Sequence, residues 1–333
     1  MPRLLIFETA YRPIAEALAP MAGRLDLLLM NDAGEITLNG QPVSLGDAQP
    51  DLLWTSGGMY FGPAAGKFVE AALASRRLEW AHSQASGLDH PLFPQLAARG
   101  VRLSNSHGQA VCIAEYVVAE VLAHFQRIAE RRAAQAARRW DHFRFREIRD
   151  SHWLIVGFGA IGAGVAERIR GFGPTITGVR RTPGPHPLAD EMVPLSQAAE
   201  AARRADVVVL AAPAGADTDR LVDAAFLAGM KSGSVLVNVG RGTLVDETAL
   251  LQALDRGTPE FAILDVFDKE PLPADSPFWA HPRIALTGHA SSYGEGLQRR
   301  NDALFVENLR RYLAGEPLLN LVDPRDVPRG PAS

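Results

Sequence analysis

Apolar residues fall in short runs along the chain, and the spacing between runs changes character twice. In the first hundred residues, runs at 4–7, 25–30, 52–54, 78–81 and 101–103 have strand length. Segments 13–20 and 64–75 between them have helical spacing. Such alternation predicts a parallel sheet built from βαβ units. Next, Val111, Ala114, Val118, Val121, Leu122 and Phe125 recur at three- and four-residue intervals, predicting one long helix over about 110–132. From 151 the pattern becomes regular. Strands are predicted at 152–156, 175–179, 206–212, 234–239, 261–266 and 284–287, with helices at 161–170, 195–204, 221–227 and 247–256. The strand runs are apolar almost throughout, as in a sheet covered on both faces. The pattern therefore predicts a doubly wound α/β fold. A last helix is expected over 294–313, followed by a loosely ordered, proline-containing tail over 317–333.

Composition narrows the class. The 333 residues suffice for two domains, and 47% hydrophobic with 22% charged residues is the balance of a chain that buries a core. Net charge is −4, so no global basic field recommends nucleic acid or a membrane surface as partner. The one cysteine, Cys112, excludes an intramolecular disulfide framework and a cysteine-based zinc cluster. No apolar run approaches the roughly 20 residues of a membrane span, and the N-terminal apolar stretch is too short for a signal peptide. These readings leave a cytoplasmic enzyme or binding protein. Only Lys67, Lys231 and Lys269 among the 34 basic residues are lysines. Arginines crowd 131–149, with Trp140, Phe143 and Phe145 interleaved. Glu130, Asp141, Glu147 and Asp150 dilute that charge, which favours an exposed helix end or a subunit contact over RNA binding.

One turn carries a ligand signature. Gly157, Gly159 and Gly162 fit G-x-G-x-x-G, with the strand run 153–156 before them and a helix after. In that context Gly157 permits the tight turn, Gly159 lets a pyrophosphate approach the backbone, and Gly162 allows close helix–strand packing. The N–H groups of Ala160, Ile161 and Gly162 open the helix and suit phosphate oxygens. At the end of the next strand, where an NAD-binding chain usually has Asp or Glu, the sequence reads Arg180-Arg181-Thr182. Arginines there suit a 2′-phosphate, so NADPH is expected over NADH.

Three later strands end in polar residues: Arg241 between Gly240 and Gly242, Asp265 with Asp268 and Glu270, and His289 after Gly288. Each alone has a simple alternative: Arg241 pairs with Asp246, His289 caps a helix, Glu270 sits in a solvated turn. Together, at the strand ends where doubly wound sheets bind ligands, they fit reduction of a 2-oxo acid. Histidine, which ordinarily titrates near neutrality, can protonate the forming alkoxide. A carboxylate beside it favours imidazolium. An arginine clamps the substrate carboxylate.

On Gly157–Gly162, Asn238-Val239-Gly240-Arg241-Gly242, the segment from Leu264 to Leu272, Gly288-His289 and the weaker Ala114-Glu115, the chain resembles the D-isomer-specific 2-hydroxyacid dehydrogenases, within the glyoxylate/hydroxypyruvate reductase group. The resemblance runs over nearly the whole chain. It implies two doubly wound parallel-sheet domains, a Rossmann-type nucleotide-binding domain inserted in a discontinuous flavodoxin-like substrate domain. Its boundaries are expected at 1–103 with 291–333 for the substrate domain and 104–290 for the nucleotide domain. It implies Arg241, Glu270 and His289 as the catalytic trio. Asp265 is implied near the nicotinamide, and Ala212, Pro213, Val239, Gly240 and Ser291 along the cofactor. The loop after the third strand is implied to present backbone to the substrate carboxylate, giving Ser56, Gly57 and Gly58 as substrate-binding candidates with Arg241 and His289. The Gly57-Gly58 pair and Tyr60-Phe61 depart from common members. Trp140 is either a neighbour to another subunit's active site or a buried interface aromatic. The expected activity is NADPH-dependent reduction of a small 2-oxo acid, of glyoxylate or hydroxypyruvate type, by a homodimer without a metal. Alternatives are a related dehydrogenase of phosphoglycerate, formate or phosphite, or a dinucleotide-sensing interaction protein without turnover.

Overall fold

The structure, a computed structural model, describes residues 1–327. The chain divides into two compact units, one joining Met1–Gln109 to the chain from Glu295 onward, the other formed by Ala110–Gly294. The divisions thus fall at 109/110 and 294/295, against 103/104 and 290/291 read from the sequence. Residues 104–109 stay with the first unit: Ser106 N–H donates to the Ser83 carbonyl at 2.9 Å and Arg300 Nε to the Gly108 carbonyl at 2.8 Å.

The first unit holds seven strands: β1 (Arg3–Phe7), β2 (Asp26–Met30), β3 (Ile36–Leu38), β4 (Gln41–Val43), β5 (Leu52–Thr55), β6 (Trp80–Ser83) and β7 (Arg102–Asn105). Their order is β4-β3-β2-β1-β5-β6-β7. The five strands expected from the sequence pair in parallel, β6 lying two residues later than its apolar run. The antiparallel hairpin β3–β4 was not anticipated. It turns on Asn39-Gly40, both at positive φ, the turn chemistry that suits a two-residue hairpin. The segment 13–20 is not one helix but consecutive short helical turns around Pro13 and Pro20, whose rings interrupt a continuous ladder.

Helix Leu297–Ala314 packs on this sheet through Phe305, which stacks on Trp54 with ring centroids 4.4 Å apart. The tail is better held than its composition suggests. Asn308 exchanges two hydrogen bonds with Leu319, and Val322 N–H donates to the Leu103 carbonyl. Leu318 and Val327 are buried. Residues 328–333 of the expected tail lie outside the described residues.

The second unit holds β8 (His152–Val156), β9 (Thr175–Arg180), β10 (Glu191–Pro194), β11 (Val207–Leu210), β12 (Val235–Asn238), β13 (Phe261–Leu264) and β14 (Ile284–Leu286). All pair in parallel in the order β10-β9-β8-β11-β12-β13-β14. Both faces are covered, and every residue of β11 and β12 is buried. The order reverses between β8 and β11, where ligands of doubly wound sheets bind.

The long helix expected over 110–132 is two. Ala110–Phe125 ends, Arg127 takes a left-handed backbone at φ 54°, and Ile128–Ala136 begins. The break is stabilised where carbonyls find partners outside the helix: Arg146 N–H donates to the Phe125 carbonyl and Arg131 Nε to that of Gln126. The arginines and aromatics that follow pair with one another. Arg146 lies 4.1 Å from the Phe125 ring centre, Arg127 5.1 Å from Phe143, and Arg131 5.4 Å from Phe145. Trp140 projects 91% exposed.

Candidate active site

Register sets one row of strand ends. Val156, Val179, Leu210, Asn238, Leu264 and Leu286 lie level across β8, β9, β11, β12, β13 and β14. Each polar residue singled out in the second unit follows one of these positions by a few residues, so topology alone gathers them along one sheet edge.

At the centre is the glycine turn. Gly157 has φ 91°, and a Cβ there would fall 2.4 Å from the Ala212 nitrogen, so only glycine lets the turns after β8 and β11 close on each other. A Cβ on Gly162 would meet the Gly157 carbonyl oxygen at 2.4 Å. At Gly159 the same construction meets nothing within 4 Å. Gly159 is the N-cap of Ala160–Arg170 and has no side chain to satisfy the first turn. The positions facing protein are filled, then, and the one facing outward is open beside the amide groups of Ala160, Ile161 and Gly162. That combination fits a dinucleotide's pyrophosphate. Arg180 ends β9 and its Nε donates to the Phe158 carbonyl at 2.7 Å, holding the guanidinium against the glycine turn. Arg181 and Thr182 follow at the surface.

Past the switch point, Ala212 and Pro213 follow β11. Val239, Gly240 and Arg241 follow β12. The Asn238 side chain shapes this turn by accepting from Gly240 N–H and donating to the Arg241 carbonyl. Arg241 is half-buried and its Nη1 donates to the Gly240 carbonyl at 2.8 Å. At Gly242 a Cβ would lie 1.9 Å from the Phe267 carbonyl carbon, so the Arg241 turn rests directly on the segment leading to Glu270.

Glu270 and His289 meet. His289 Nδ1 lies 2.8 Å from Glu270 Oε2, while Glu270 Oε1 accepts Phe267 N–H at 2.9 Å. The carboxylate is thus fixed at one oxygen and orients the ring with the other. The pair is open to solvent, the side chains being 50% and 36% exposed. His289 has φ 53°, a strained backbone for a residue with a side chain. Asp265, almost fully buried, accepts from the Thr287 hydroxyl, from Ala290 and Ser291 N–H, and from the Ser291 hydroxyl. Its carbonyl accepts His289 N–H at 2.8 Å.

The remaining candidates belong to the first unit. Ser56 follows β5, and Gly57 and Gly58 open a short helix, Gly57–Phe61, where a loop was expected. Packing overrides the poor helix propensity of glycine here, since a Cβ on Gly58 would meet the Phe7 ring at 2.7 Å. Gly57 N–H donates to Gln84 Oε1 at 3.1 Å, and Ser56 Oγ is buried without a hydrogen-bond partner. The Tyr60 hydroxyl lies 3.0 Å from Ser83 Oγ, and burial raises its pKa. Gln84, Ser83, Thr287 and Tyr116 were not singled out from the sequence. All but Tyr116 lie at or just past the end of an apolar run that closes in a polar residue, the signal that marked the others.

Comparison with known proteins defines the class. Residues 118–291 match the D-isomer specific 2-hydroxyacid dehydrogenase NAD binding domain, and the chain belongs to this family. Among its relatives is a glyoxylate/hydroxypyruvate reductase A of Klebsiella pneumoniae, 32% identical over 237 residues, which span 71% of this chain and 74% of that one. A D-isomer specific 2-hydroxyacid dehydrogenase from Xanthobacter autotrophicus Py2, solved with NADPH and MES, superposes with a TM-score of 0.78 at 27% identity, covering 97% of this chain and 98% of that one. The fold is also that of the NADPH-dependent glyoxylate/hydroxypyruvate reductase of Sinorhizobium meliloti, solved with NADP and sulfate (TM-score 0.75, 22% identity, 98% and 99% covered).

Proposed function

We propose that the protein reduces a small 2-oxo acid, of glyoxylate or hydroxypyruvate type, to the D-2-hydroxy acid, using NADPH in preference to NADH. The observation that carries this is the His289–Glu270 contact at 2.8 Å, on the same row of strand ends as Arg241 and the glycine turn. The name of the Klebsiella relative supports the substrate class. Arg180, seated on the glycine turn, supports the cofactor choice, because its guanidinium can take a 2′-phosphate that a carboxylate would repel.

Bound NAD(P)H supplies the hydride that reduces the carbonyl carbon. Gly157, Gly159, Ala160, Ile161 and Gly162 hold its pyrophosphate, and Arg180, Arg181 and Thr182 hold the adenosine end. Ala212, Pro213, Val239, Gly240, Asp265 and Ser291 line the rest. Arg241 pairs with the substrate carboxylate and draws charge toward the carbonyl oxygen. His289 delivers a proton to that oxygen as negative charge develops there. Glu270 keeps the imidazole in place through the contact at Nδ1. Ser56, Gly57 and Gly58 are the first unit's substrate-binding candidates. With its N–H already given to Gln84, Gly57 contributes shape more than a hydrogen bond. The working form is proposed to be a homodimer, with the exposed Trp140 as a candidate contact.

The test is a panel of 2-oxo acids with purified protein and each reduced cofactor. Oxidation of NADPH by glyoxylate or hydroxypyruvate is expected. Tight NADPH binding without turnover on any of them would replace the reductase with a dinucleotide-sensing protein.

A further inference from the structure

We propose that Thr287 and Tyr116 are positioning residues for the His289 imidazole, acting through the carboxylate of Asp265. The proposal rests on the reading of His289 as proton donor and adds what holds it there.

His289 needs holding. Its left-handed backbone persists only where the surroundings determine it, and Gly288 before it has no neighbour within 4 Å of a built Cβ. Glu270 does not supply the restraint alone, since that pair is partly open to solvent. The restraint comes from below. Asp265 Oδ1 accepts Ala290 N–H at 2.8 Å and Ser291 N–H at 3.0 Å, and Oδ2 accepts the Ser291 hydroxyl. One carboxylate therefore fixes the two residues after His289, while the Asp265 carbonyl fixes His289 N–H.

The carboxylate's own orientation is set from the far side. Thr287 Oγ1 lies 2.6 Å from Asp265 Oδ1 and 3.2 Å from the Tyr116 phenol oxygen. A threonine hydroxyl has one proton, and a carboxylate can only accept. The hydroxyl faces both oxygens as donor, the nearer being Asp265 Oδ1 and the farther the Tyr116 phenol, which bounds its swing. The phenol stays neutral beside it, because burial pushes its pKa up to about 12, the Thr287 hydrogen bond lowering it and the Glu120 and Asp265 charges adding to the rise. Its ring packs with the core of Ala110–Phe125 and is a firm end point. The chain of contacts runs Tyr116, Thr287, Asp265, loop, His289.

Three variants test it: Thr287→Val, Thr287→Ser and Tyr116→Phe. Thr287→Val is expected to lower kcat on the order of tenfold, as a small misplacement of a reacting group does, with a smaller change in KM for NADPH. Thr287→Ser, which keeps the hydroxyl, should restore kcat, and Tyr116→Phe should lower it by a smaller factor. Wild-type kcat in Thr287→Val, or a serine variant as slow as the valine one, overturns the proposal. Amide hydrogen exchange at residues 289–291 reads the same anchor without any substrate. It should quicken in Thr287→Val and Tyr116→Phe but not in Thr287→Ser, and unchanged exchange in all three overturns the proposal. If the wild-type protein reduces no 2-oxo acid while exchange follows the expected order, the functional reading fails and the anchor stands.

Discussion

His82 and His289 place the same side chain in opposite settings. His82 stands in β6 beneath Phe305, fully buried, its Nδ1 2.7 Å from Ser104 Oγ, which also accepts the Trp80 indole N–H. Desolvation alone pushes its pKa down to about 3, so it stays neutral and serves the core. His289 stands past the end of a strand, half exposed, with a carboxylate at 2.8 Å. Burial removes the charge in one unit; in the other the ring stands half in water beside a carboxylate. The level of a histidine along its strand thus decides whether a packed core or solvent and a carboxylate surround it.

Replacing His289 by alanine should sharpen the contrast most. Turnover is expected to fall about 10²–10⁴-fold with NADPH affinity near wild type, measured by steady-state kinetics and cofactor titration. A retained rate would remove it as the proton donor. Removing Arg180 and Arg181 together should weaken NADPH roughly 10–100-fold and NADH little, as expected when charge-assisted hydrogen bonds are lost. Equal weakening of both cofactors counts against a 2′-phosphate site. Glu270→Gln keeps the shape of the pair and loses its charge. Its hold on the imidazole is then weaker, so kcat/KM should fall about tenfold; an unchanged kcat/KM would break the pair.

His82 gives the smallest effect, and it appears in stability. Its folded pKa lies below the unfolded value, so between about pH 3 and 6.5 the unfolded chain binds the extra proton. Stability from this group is therefore full above pH 6.5 and declines as the pH falls toward 3. By pH 5 the loss should be about 2 kcal/mol, which His82→Phe should lack. Urea unfolding at pH 7 and pH 5 measures the difference, and equal losses in both proteins would show that His82 does not set the acid slope.

The second unit was the more legible because its strands are long apolar runs that stop abruptly in glycine, arginine, aspartate or histidine. The run at 153–156 followed by three spaced glycines announces both a strand and what its end can bind. What escaped is short or locally contradictory. Strands β3, β4 and β10 have three or four residues at or next to sheet edges, with Pro42 and Pro194 among them, so no apolar period forms. Gly57–Phe61 is helical despite its glycines, and the reason for Gly58, its close packing on Phe7, is stored fifty residues away. Thr287 and Tyr116 look like a strand end and an ordinary helix position. Only the contacts between their oxygens set them apart, and those need coordinates.

Gly242 has a practical consequence for anyone recombining this enzyme with a relative. Because no side chain fits between the Arg241 turn and the backbone at Phe267 and Asp268, the two segments form one interlocked part. A chimera with a crossover between 242 and 267 joins halves that were shaped separately. It risks parting Arg241 from Glu270, proposed above to hold the substrate and to aim the acid, even where every named side chain is retained. Crossovers outside 238–291 keep that part whole.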